Sequence, residues 1–183
     1  TKSTLVSTTT SISESKSSES DVTNDASGPI DIKLWKKGPD LQLEGSIGEF
    51  KLQLVVDDPF SPGKGPESEI SGDIGGLSVG LVFNRSTTRM RGTIGVTKVD
   101  VVRDIPPVYG RTSTHYVGTA GSSQIEVLKD WVTPYLFGGL IGSSGLQIYR
   151  TKPWESRPVA NFWGEGSSLS ILFVLYTAVM DGV

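Results

Sequence analysis

Leu169-Ser170-Ile171-Leu172-Phe173-Val174-Leu175-Tyr176-Thr177-Ala178-Val179 is the longest apolar run of the chain. Its reading decides the fold. Only Ser170 and Thr177 interrupt it, and it falls far short of the ~20 residues a helix needs to cross a bilayer. Leu169–Leu175 alternates weakly with a period of two and is apolar nearly throughout. That is the pattern of a central strand covered on both faces. A strand here makes the chain all-β and closes its last sheet.

Working outward, the period of two recurs from about Ile30. Ile32 and Leu34 alternate with charged residues, and Leu52 and Leu54, Ile125 and Val127 with charged residues and glutamines. Leu77, Val79, Leu81 and Phe83 form a further series, and Leu146 and Ile148 flank Gln147. Ile94 and Val96 are in phase, whereas Val99 and Val101 are one residue out, which a bulge near Thr97–Lys98 would explain. Asp57-Asp58-Pro59, Ser61-Pro62-Gly63, Pro106-Pro107, Gly138-Gly139 and Gly142–Gly145 read as turns or loops. Short helical turns fit Asp130–Phe137 and Glu67–Ile74; no longer window keeps a helical period. Seven or eight strands at these spacings predict a sandwich or barrel.

The 183 residues include 22 Gly, 10 Pro, one His and no Cys, with 17 Lys+Arg against 20 Asp+Glu. Thiol catalysis, disulfide scaffolds and Cys-ligated metals are excluded, as is any site needing two imidazoles. A net charge of −3 is not the signature of a basic nucleic-acid binder. Thirteen of the first 20 residues are Ser or Thr, too polar to order alone. Residues 1–30 therefore read as an extended arm held by neighbouring subunits, and residues 31–183 as the β domain. No signal peptide or membrane anchor is visible, so the expectation is a soluble protein.

Catalytic patterns are missing. Gly63-Lys64-Gly65 precedes Pro66, where a phosphate loop needs a helix-opening Ser or Thr. A triad would have to use His115, which reads as a sheet-edge residue. Asp57 and Asp58 read as a solvated turn, with a calcium site as the alternative. Arg85, Arg89, Arg91 and Lys33, Lys36, Lys37 read as solvated faces, and Asn84-Arg85-Ser86 is a formal glycosylation sequon. The expectation is a non-enzyme without metal or cofactor. Trp35, Trp131, Trp154 and Trp163 are expected at sheet edges or interfaces.

One order of segments carries a resemblance. Leu77-Ser-Val-Gly-Leu-Val-Phe-Asn-Arg-Ser86, Met90-Arg-Gly-Thr-Ile-Gly-Val96 and Pro106-Pro107 come first. Tyr116–Gly121, Ser122–Leu128, Trp131-Val-Thr-Pro-Tyr135 and the closing apolar run follow. This order resembles picornavirus-like capsid proteins across Leu77–Thr177; Trp131, Pro134 and Tyr135 depart from the family's common form. The resemblance implies an eight-stranded antiparallel jelly-roll sandwich with an extended N-terminal arm. It implies a structural coat subunit cut from a polyprotein and assembled in the host cytoplasm into an icosahedral virion. Its partners would be other capsid subunits, with genomic RNA touched only indirectly and a host receptor unidentified. Contact loops would be Asp57–Asp73, Asp104–Thr114, Phe137–Gly145 and Pro153–Gly166, with Trp154, Phe162, Trp163, Pro106 and Pro107 as subunit-interface residues. The alternative is a carbohydrate- or protein-binding β-sandwich of lectin or adhesin type.

Overall fold

The computed structural model describes residues 27–57, 60, 63–104, 113–130, 136–151 and 159–181. Twelve strands follow one another: Gly28–Lys37 (β1), Asp40–Ile47 (β2), Phe50–Val56 (β3), Glu67–Ile74 (β4), Leu77–Asn84 (β5) and Arg89–Ile94 (β6). Thr97–Asp104 (β7), Ser113–Ala120 (β8), Ser123–Asp130 (β9), Leu136–Ile141 (β10), Ser144–Thr151 (β11) and Val159–Gly166 (β12) complete the set. Every strand pairs antiparallel with its sequence neighbour, and β1 pairs with β12 from Gly28↔Gly166 to Trp35↔Val159. The result is one closed barrel, not the expected eight-stranded jelly-roll sandwich.

Local chemistry explains the meander. At one end, five hairpins turn on two residues: Gly48-Glu49, Gly75-Gly76, Gly95-Val96, Gly121-Ser122 and Gly142-Ser143. Each first glycine has φ between 57° and 60°, as the tight hairpin turns matched to strand twist require. Each also donates its N–H to a carbonyl on the preceding hairpin, at 2.7–2.8 Å. Turns this short leave no length for the crossovers a jelly roll needs. The sequence around them repeats as Gly-X-Ile/Ala-Gly: Gly45–Gly48, Gly72–Gly75, Gly92–Gly95, Gly118–Gly121 and Gly139–Gly142. The phase change between Ile94 and Val99 is such a turn, not a bulge, and it leaves Val96 exposed. Glu67–Ile74 is strand β4, not a helical turn, and Gly138-Gly139 lies within β10.

Paired residues traced round the wall slip by about one position per strand, so shear and strand number are both about twelve. Strands then tilt by ~36°, and at ~4.8 Å spacing the wall is ~22 Å across. Inward side chains alone cannot fill that bore. The run that read as a central strand fills it instead: Ser168–Ser170 forms a 3₁₀ turn and Ile171–Asp181 an α-helix (α1). Leu169 and every residue from Ile171 to Val179 are buried. A helix of ~11 Å diameter leaves ~5 Å on each side, enough for one layer of strand side chains. As a thirteenth strand this segment would find no edge to pair with. As a helix it satisfies its own backbone and offers apolar surface on all sides.

The packing fixes α1. Tyr176 meets Phe83 and Tyr116 edge-on, with centroids 5.4 and 4.8 Å apart, and Phe173 meets Tyr116 and Phe137 at 5.8 Å. The Tyr176 hydroxyl donates toward the carbonyls of Val101 (2.7 Å) and Thr88 (3.1 Å). Burial pushes its phenol pKa up. Apart from a few basic residues such as Lys129 and Arg150, apolar residues point into the bore and charged ones outward, the reverse of a transmembrane barrel. No helix is long and apolar enough to cross a membrane among the described residues. Of the arm expected over residues 1–30, residues 1–26 lie outside the described set, and Gly28–Ile30 already belong to β1.

Candidate functional site

The site is built on a strand irregularity. In each even-numbered strand from β2 to β12 one glycine takes φ between 143° and 155°: Gly45, Gly72, Gly92, Gly118, Gly139 and Gly164. That region is essentially closed to other residues. A side chain at Gly139 would collide with the Glu126 carbonyl oxygen of β9. The chain bends there, and the outer wall dips.

The dip over Gly139 is a groove of about 460 Å³, within the ~300–1,000 Å³ range of small-molecule sites. Gly138, Gly139 and Gly145 form its floor, and Ser27, Leu146, Gln147 and Glu165 line it. Gln147 and Glu165 are direct cross-strand partners on β11 and β12. Two residues along each strand, on the same outer face, stand Tyr149 and Trp163, also paired. Their rings stack with centroids 4.3 Å apart and planes 15° from parallel. Trp163 is nevertheless 49% exposed, and Leu140, across the glycine floor, is 52% exposed. A fixed aromatic shelf therefore stands ~7 Å along the strands from the Gln147–Glu165 pair that lines the groove.

Of the five residues expected at an interface, Trp163 is on this surface. Phe162, its neighbour, faces the bore and is fully buried, which corrects its assignment to an interface: successive strand residues point to opposite faces. Trp154, Pro106 and Pro107 lie outside the described residues, as do Trp131 and Asp58. Of the expected contact loops, 67–73 is strand β4, 137–145 spans β10 and its turn into β11, and 159–166 is β12. His115 is half-buried on the outside of β8. Asp57 pairs with Lys64 at 2.7 Å. Asn84 is engaged in its own turn, donating to Glu67 and accepting from the Thr87 N–H at 3.1 Å. No group of three or more potential metal ligands occurs among the described residues.

Gln147, Tyr149, Glu165 and the glycine floor escape a sequence reading, since strand pairing brings them together. One signal was available: the repeated Gly-X-Ile/Ala-Gly marks where each wall dips. The same repeat locates a second set. Val56, Phe83, Arg103, Lys129 and Arg150 each lie eight residues after a turn glycine, at the far end of the bore. Lys129 and Arg150 are buried against the rings of Phe137 and Phe162, at 5.6 and 5.8 Å.

No family model, no curated protein and no solved structure matches this chain.

Proposed function

We propose that this chain is a non-catalytic carbohydrate-binding module whose recognition surface is the outer face of β10–β12. One observation carries the reading: Trp163, half exposed and stacked on Tyr149, stands at the end of a polar groove floored by glycines. A pyranose ring has an apolar C–H face and an edge of hydroxyls. An aromatic plate fits the first. The Gln147 amide, the Glu165 carboxylate, the Ser27 hydroxyl and the open glycine backbone fit the second. Tyr149 holds the indole in place before any ligand arrives, which lowers the entropy lost on binding.

The bore does not compete as a binding site, because α1 occupies it. The coat-subunit expectation drew its geometry from a wedge of two sheets, and nothing in a closed barrel adds support to it. A glycan array probed with the full chain, followed by calorimetry on the best oligosaccharide, tests the proposal. Trp163→Ala is expected to weaken binding by about tenfold or more with the fold intact by circular dichroism. An array without hits, or equal affinity in the variant, would overturn it.

A further inference from the structure

Resting on that reading, we infer that the groove prefers sugars carrying a protonated amine over neutral ones. The argument is charge complementarity. Among the described residues lining the groove, Glu165 is the one charged side chain, and no Lys or Arg joins it. Glu165 takes part in no ion pair among the described residues.

The shelf adds to this. Trp163 is flanked across the β1 pairing by Asp31 and along its own strand by Glu165, so a carboxylate stands on two sides of the indole. The aromatic face itself attracts cations through its quadrupole, most strongly for Trp. Among the described residues, Lys33 on this face of β1 is paired in register with Asn161 and with Glu44 on β2. A ring that stacks on Trp163 and reaches toward Gln147 brings its substituents to Glu165. A hydroxyl there gains one hydrogen bond. An ammonium gains a charge-assisted one, roughly twice as strong.

The test compares oligosaccharides of one backbone that differ only in charge: glucosamine oligomers against their fully N-acetylated counterparts. Calorimetry at a pH of about 5.5 keeps the amine of the oligomer protonated. The full chain is expected to bind the amine form about tenfold more tightly, and the margin is expected to shrink as salt rises. Glu165→Gln keeps shape and hydrogen bonding. It should abolish the preference for the amine form over the acetylated one. Equal or tighter binding of the acetylated oligomer overturns the inference while leaving carbohydrate binding in place. So does a preference that survives Glu165→Gln. Binding of neither overturns the inference, and an array without hits overturns carbohydrate binding with it.

Discussion

Two grooves on one barrel rest on the same irregularity and differ only in what lines them. Over Gly45 the wall dips into a groove of about 560 Å³ lined by Asp31, Glu44, Ser46, Lys51, Gln53 and Asp73. Over Gly139 the equivalent dip has Gln147 and Glu165 and leads to Tyr149 and Trp163. Both glycines sit three residues before a turn glycine, and both backbones bend alike. The first groove carries charges of both signs and no aromatic ring, so it offers mutual screening and nothing to stack on. The second pairs a rigid apolar plate with one carboxylate. Inward residues and glycines thus build the wall, while outward residues decide which stretch of it can recognise a ligand.

That comparison can be broken most severely from inside. Phe173→Ala removes a ring that packs on Tyr116 and Phe137 in the single core behind both grooves and is expected to cost about 3–5 kcal/mol, read by chemical denaturation. A loss confined to one side of the barrel in hydrogen exchange would show that the two walls do not share one core. Next come the bends. Gly92→Ala and Gly139→Ala each place a methyl against a neighbouring carbonyl in a glycine-only conformation. Each is expected to cost about 2–3 kcal/mol. Equal losses support equivalent dips; a tolerated Gly139→Ala would mean that the groove floor is not a true bend. The smallest effect belongs to an ion pair on β6 and β7, apart from both grooves. A hydrogen bond from Arg89 Nε to Asp100 Oδ1 at 2.6 Å holds the Asp100 carboxyl below the usual carboxylate range. Its contribution is full above the unfolded carboxylate pKa near ~4 and is lost as pH falls through the depressed folded value. Both side chains are nearly half exposed, so solvent screens the pair. Asp100→Asn should lower the neutral plateau only slightly, by what the screened pair contributes, and leave stability at the acid end unchanged.

Much of the wall is legible in the sequence, because alternation at Phe50–Val56, Leu77–Phe83 and Ile125–Val127 is set by one buried and one wet face. Closure is not legible, because it depends on register slipping round all twelve strands, which no segment holds by itself. Trp35–Gly38 finds no place in a sandwich, yet the Gly38-Pro39 turn simply joins β1 to β2. The helix is invisible for a different reason. A helix enclosed on every side has no polar face, hence no period, and Leu169–Val179 then passes for a buried strand. At the site, Trp163 is conspicuous as an aromatic near the chain's end. Phe162 beside it could not be told apart, since strand parity is fixed only by its partners, Ile32 and Arg150.

The most direct test is an amide NMR titration of the full chain with a bound oligosaccharide. Shift changes are predicted at Gly138, Gly145, Gln147, Tyr149, Trp163 and Glu165, with Lys51, Gln53 and Asp73 silent. Changes spread evenly over both grooves, or confined to the one over Gly45, would contradict the account.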